Sequence, residues 1–114
     1  MAPPEKLILR VIISPAVITA LHEIWQWNAE RYCPSHADAY LAFLKRHVYG
    51  LDRRYKQGKT LTFRPELRYI MIRRKSKGHG HVVVYRFDNR EVNVLLVFHT
   101  AQDWQTKLAD ETSS

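Results

Sequence analysis

The sequence lacks the features of an exported protein and of a fold held together by disulfides or metal ions. Its one cysteine, Cys33, excludes an intrachain disulfide and a cluster of thiolate metal ligands. Neither end has an apolar stretch long enough for a signal peptide or a membrane span, so we expect a cytoplasmic protein. The 114 residues suffice for one domain. We predict that residues 7–108 form it, with flexible tails at 1–6 and 109–114.

Acidic residues are scarce in the middle of the chain. Between Lys45 and Arg90 there are 14 lysines and arginines and 3 acids, so this segment carries 14 − 3 = +11, whereas the whole chain carries +7. A basic excess confined to one segment indicates an anionic partner, either nucleic acid or an acidic protein. The alternative is a basic surface that serves only solubility.

The first part of the chain predicts a strand and a helix. Residues 7–13 are apolar except for Arg10 and rich in β-branched side chains, which is typical of a strand covered on both faces. Ser14 followed by Pro15 is a helix N-cap with proline at the first helical position. We expect the first helix to run from there to about Tyr32.

A second helix is predicted after Pro34. Ser35 with Asp38 three residues later resembles a capping box, and apolar residues then recur at helical spacing as far as Tyr55, with Gly50 inside the pattern. Two long helices with a short connection form an antiparallel helical hairpin.

The last half of the chain predicts a basic connector at 56–66 and three strands at 67–75, 81–88 and 91–99, separated by turn residues. The third of these strands is almost wholly apolar and therefore central. A short helix at 103–108, or a partner protein, would cover its second face. The predicted fold class is α+β, an antiparallel sheet in the order strand-helix-helix-strand-strand-strand with the N-terminal helical hairpin packed on one face.

Four short motifs, in this order of elements, resemble the RelE/ParE superfamily of bacterial toxins. They are Ser-Pro-Ala at 14–16, Pro-Glu-Leu-Arg at 65–68, Val-Tyr-Arg-Phe at 84–87 and Val-Leu-Leu-Val-Phe-His at 94–99. The resemblance covers about residues 7–108. It implies the toxin of a type II toxin–antitoxin pair, kept inactive in a hetero-oligomer with a cognate antitoxin.

The superfamily divides by target. RelE-like members cut messenger RNA in the ribosome, whereas ParE-like members poison DNA gyrase. The long hairpin and His99 followed by Asp103 look more like the ParE branch, although Ala101 and Gln102 stand where that branch commonly has an arginine. We therefore expect a gyrase inhibitor. The alternatives are a ribosome-dependent mRNA endonuclease and a basic nucleic-acid-binding module that is no toxin.

Three residues are candidates for chemistry if the protein is a nuclease. The resemblance implies that Arg68 holds the scissile phosphate, as a guanidinium can. Arg86 would stabilise charge, and the imidazole of His99 would act as the acid. We expect Arg68 and Arg86 to share one surface of the sheet. The general base has no obvious position, Glu66 and Lys59 being only candidates.

Five further residues are candidates for binding the target or the antitoxin: Arg73, Arg74, Lys75, Lys77 and Trp104. The structural alternatives are a solvated basic turn and a core tryptophan. His79 and His81, with Cys33 or His36, are too weak a pattern for a metal centre. We expect no metal and no cofactor.

Overall fold

The computed structural model describes residues 8–74 and 80–112. The predicted order of elements is confirmed, with one short helix and one short strand added between the hairpin and the sheet. The elements are β1 (Arg10–Ile13), α1 (Pro15–Arg31), α2 (Pro34–Tyr49), α3 (Leu51–Arg54), β2 (Lys59–Thr60), β3 (Arg68–Ile72), β4 (His81–Phe87), β5 (Glu91–His99) and α4 (Trp104–Thr112). None of the helices described is long and apolar enough to cross a membrane.

The α+β class is confirmed, but the sheet is mixed. Its order is β1-β5-β4-β3-β2, and every neighbouring pair is antiparallel except β1 and β5, which run parallel. The long α1–α2 connection allows this parallel return. The prediction that the first strand is covered on both faces is wrong, because β1 is an edge strand with one exposed and three half-buried residues.

Local capping begins α1 as predicted. The Ser14 hydroxyl accepts a hydrogen bond from the Val17 N–H (3.3 Å) and donates one to the Leu95 carbonyl (2.8 Å). The same serine therefore starts the helix and ties it to β5.

The predicted capping box of α2 is wrong. The helix begins at Pro34, and its N-cap Cys33 makes no side-chain capping bond. Asp38 instead accepts a hydrogen bond from Trp25 Nε1 at 2.8 Å. Asp38 is the fifth residue of α2, so its carboxylate links the two helices and caps neither of them. The second helix also ends earlier than predicted, at Tyr49, and α3 follows Gly50.

The sheet separates two apolar clusters. Val83 and Tyr85 of β4 face the helical hairpin, whereas Val82 and Val84 face α4. This alternation is that of a strand covered on both sides. Helix α4 supplies the expected cover for the second face and runs to Thr112, four residues beyond the predicted end at 108.

Tyr85 fixes the connector after α3 to the sheet. Its side chain is fully buried, and its hydroxyl donates to the Tyr55 carbonyl (2.7 Å) and accepts from the Gly58 N–H (3.0 Å). A Cβ on Gly58 would overlap the Tyr85 ring, so glycine is required for this approach. The connector predicted at 56–66 is therefore anchored, and it includes β2.

Candidate functional site

Arg68 is held by the backbone of the connector. Its Nη1 donates to the carbonyls of Lys56 (2.9 Å) and Gly58 (3.0 Å), and its guanidinium carbon lies 5.2 Å from the centroid of the Phe87 ring. No salt bridge links it to Glu66 in the described residues, since Glu66 pairs with Arg64 at 3.4 Å. These contacts give Arg68 a structural role in this conformation.

The structure does not bring Arg68, Arg86 and His99 together. Arg68 pairs with Tyr85 and therefore lies on the hairpin face, whereas Arg86 is the next residue of β4 and lies on the opposite face. His99 is on the hairpin face but pairs with His81, four residues along β4 from Tyr85, which is roughly 13 Å. The expectation that the two arginines share a surface is wrong. Arg86 shares its face of β4 with Val82 and Val84.

His99 belongs instead to a row of rings at the other end of the sheet. Its ring lies 5.2 Å, centroid to centroid, from that of His81, and Nδ1 of His81 shares a 2.7 Å hydrogen bond with the Tyr40 hydroxyl. The Ala101 N–H donates to Nδ1 of His99 (3.0 Å), so the proton of the neutral imidazole is on Nε2.

Burial keeps His81 uncharged. Desolvation, with a smaller contribution from the charge of His99, lowers the pKa of His81 from its usual value of 6.5 to about 4. The Tyr40 hydroxyl is also partly desolvated, which raises its pKa, although the positive charge of Arg74 opposes this. At neutral pH the His81 imidazole and the Tyr40 hydroxyl are therefore uncharged hydrogen-bonding groups.

The low pKa of His81 predicts a stability that falls with acidity. As the pH falls, His81 binds a proton in the unfolded chain before it does so in the folded protein. The contribution of neutral His81 to stability is therefore complete above about pH 7 and is lost toward pH 4. We expect a loss of about 2 kcal/mol in the free energy of unfolding between about pH 7 and pH 5. Denaturant titrations of His81→Asn should show a flatter pH dependence, whereas His22→Asn, on the exposed side of α1, should keep the wild-type slope. Equal slopes in wild type and His81→Asn would contradict the assignment.

A cleft of about 820 Å³ lies beside this row, between the helical hairpin and the ends of β4 and β5. The wall formed by α1 and α2 carries aromatic side chains, and the sheet end carries Arg74, His81 and His99. A smaller depression of about 260 Å³ lies at the α2–α3 junction among Arg46, Arg53 and Arg54. The larger cleft has the volume and the mixture of apolar and polar groups of a ligand site.

The other predicted binding residues are dispersed. Arg73 and Arg74 are exposed at the end of β3, and Lys75 and Lys77 lie outside the described residues. Trp104 is 6% exposed and packs on Tyr69 with ring centroids 4.8 Å apart, so it belongs to the core between α4 and the sheet. This contact favours the structural alternative for Trp104.

The histidine pattern does not assemble a metal centre in the part of the chain that the structure describes. No group of three or more histidine, cysteine, aspartate or glutamate side chains lies close enough there to hold an ion. His79 lies outside the described residues. Cys33 is exposed, and its contact with the Ser35 hydroxyl (3.2 Å) lowers the pKa of the thiol.

Sequence reasoning did not predict that aromatic side chains of α1 and α2 assemble into one wall of a cleft. The sequence puts Tyr40 in the apolar stripe of α2. For Trp27 it leaves open a ring that stacks on bases, a core residue and a surface that the antitoxin covers, and the structure shows Trp27 to be 54% exposed. The signal was available, because Trp27 is off the face of α1 that carries the buried residues Val17, Leu21 and Asn28.

Comparison with known proteins identifies the class of this chain. The model of the ParE toxin of the type II toxin–antitoxin system, parDE, matches residues 11–104. The chain belongs to that family, and the resemblance to the ParE branch is confirmed. A solved structure of the chromosomal ParDE toxin–antitoxin system from P. aeruginosa is similar, with a TM-score of 0.66, 15% identity, and coverage of 79% of this chain and 94% of that chain. At that identity the likeness shows the fold alone. No curated protein matches.

Proposed function

We propose that this ParE-family toxin binds DNA gyrase and inhibits it, without cleaving RNA, and that a cognate antitoxin neutralises it. The match to the ParE toxin family over residues 11–104 carries this proposal. A gyrase target also places the toxin in the cytoplasm.

The arrangement of the candidate nuclease residues supports a non-enzymatic toxin. Metal-free RNA cleavage needs a charge stabiliser and an acid within hydrogen-bonding reach of one phosphate. Here Nη1 of Arg68 is bonded to two backbone carbonyls, and Arg86 is on the other face of the sheet. His99 is separated from Arg68 by four residues of β4.

For the antitoxin we propose a segment rich in acidic and apolar residues that covers the outer edge of β3. Strand β2 pairs with only Arg68 and Tyr69, which leaves the rest of β3 without a neighbouring strand on that side among the described residues. Met71 is 48% exposed at this edge, and the exposed cations Arg73 and Arg74 follow it. An acidic, partly apolar chain complements such an edge in charge and in backbone hydrogen bonding.

A supercoiling assay tests the proposed target. We expect micromolar toxin to inhibit supercoiling by purified gyrase, and we expect the product of the adjacent antitoxin gene to restore it. The same preparation should leave messenger RNA intact in a translating extract. Arg86→Ala and His99→Ala should remain toxic if no nuclease chemistry is involved.

Two results would overturn the proposal. One is gyrase supercoiling and DNA cleavage that do not change at micromolar toxin. The other is transcript cleavage that disappears in the Arg86→Ala and His99→Ala variants, which would establish the mRNA endonuclease in its place.

A further inference from the structure

We infer that the cleft between the helical hairpin and the sheet binds single-stranded nucleic acid, with a base stacked against Trp27, Tyr32 and Tyr40 and an adjacent phosphate on Arg74. This site is distinct from the positions of Arg68 and Arg86. The inference does not depend on gyrase as the target, because the binding it describes can be measured without gyrase.

The wall of the cleft is a connected set of aromatic rings. The ring centroids of Trp27 and Tyr32 are 6.2 Å apart in an edge-to-face arrangement, and those of Tyr32 and His36 are 4.4 Å apart. Trp27 and Tyr32 are 54% and 60% exposed, although large aromatic rings are usually covered. Exposed rings of this kind serve as stacking platforms for bases, because every base has a π face.

Cations flank the rings on both sides. The guanidinium carbon of Arg31 lies 5.2 Å from the Trp27 centroid, and that of Arg74 lies 5.9 Å from the centroids of Tyr40 and Phe43. Arg31 and Arg74 are exposed and form no salt bridge within residues 8–74 and 80–112. Guanidinium groups interleaved with exposed rings are the combination that holds a phosphate next to a stacked base.

The charge around the cleft favours nucleic acid over a neutral ligand. Glu23 is the one carboxylate among the described lining residues, whereas Arg74 lines the cleft and Arg31 lies against Trp27 beside it. The chain as a whole carries +7. A duplex would hide the faces of its bases, so only an unpaired strand can use the aromatic wall.

Fluorescence anisotropy with labelled oligonucleotides tests the site on the full chain. Oligo(dT) and oligo(U) of about 12 nucleotides are the probes, a length suited to one small binding module. We expect Trp27→Ala to weaken binding about tenfold or more. Arg74→Ala should also weaken binding. It should make the plot of the logarithm of the association constant against the logarithm of the salt concentration less steep by about 0.7, the value for one phosphate contact on a single strand.

Two variants are matched controls. Tyr49→Ala removes an aromatic side chain of α2 that is 50% exposed and does not line the cleft. Arg90→Ala removes an exposed arginine of the β4–β5 turn, at the opposite end of the sheet from His81 and His99. Both should bind within about twofold of wild type, since they leave the stacking and phosphate contacts intact. Tighter binding of oligo(dT) or of oligo(U) supports the site and assigns it to DNA or RNA respectively.

The inference is overturned if neither oligonucleotide binds, or if the controls lose as much affinity as the cleft variants. It is also overturned if an acidic peptide containing one tryptophan binds in a Trp27-dependent manner while the oligonucleotides do not. That result would make the cleft a site for a protein partner.

Discussion

Trp104→Ala is expected to lower the free energy of unfolding by about 3 to 5 kcal/mol, the usual range for truncating a buried tryptophan. Trp104 is 6% exposed and begins α4, which is the cover of the second face of the sheet. Its ring packs on Tyr69, in a cluster that includes Val82, Val84 and Phe98. Without it, we expect α4 to separate from the sheet and to expose this cluster.

Denaturant unfolding measures this change, and Trp27→Ala is its control. Trp27 is also a helical tryptophan, but it is 54% exposed, so its removal should change the free energy of unfolding by less than about 1 kcal/mol. Hydrogen exchange should show faster exchange in α4 and the adjoining part of β5 for Trp104→Ala alone. Similar stability for Trp104→Ala and wild type would mean that α4 does not hold the second core together.

Tyr85→Phe is expected to destabilise the protein by about 2 to 4 kcal/mol through the loss of one hydroxyl. That hydroxyl donates to the Tyr55 carbonyl and accepts from the Gly58 N–H, both in buried surroundings. Phenylalanine fills the same space but leaves the Gly58 N–H without this acceptor, and a buried unpaired donor is unfavourable.

Tyr49→Phe removes a hydroxyl from a half-exposed ring and should leave the midpoint of denaturant unfolding unchanged. Gly58→Ala should destabilise as well, because the new methyl group would overlap the Tyr85 ring. Unfolding of Tyr85→Phe at the wild-type denaturant concentration would contradict this role of the Tyr85 hydroxyl.

Features that depend on short stretches of sequence could be predicted. Ser14 and Pro15 specify the start of α1 through a cap made within four residues, and β5 was predicted with its observed bounds, Glu91–His99, because its apolar run and flanking turn are local signals. The helical hairpin followed from the spacing of apolar residues in the same way.

Features that depend on contacts between residues far apart in the sequence could not be predicted. Asp38 accepts a hydrogen bond from Trp25 of the other helix and does not cap α2, and the parallel pairing of β1 with β5 joins strands about 80 residues apart. The separation of Arg68 from Arg86 follows from alternation once the register is known. Nothing near either arginine in the sequence fixes that register.

The pairing of the first strand with the last has a consequence for biosynthesis. During translation β1 and the helical hairpin leave the ribosome long before β5, which is their neighbour in the sheet, so the growing chain holds an amphipathic hairpin with no surface to cover it. The sheet can close only when the final quarter of the polypeptide has emerged. The toxin therefore cannot fold until its synthesis is nearly finished. A truncated chain that ends before His99 should be degraded and should not be toxic.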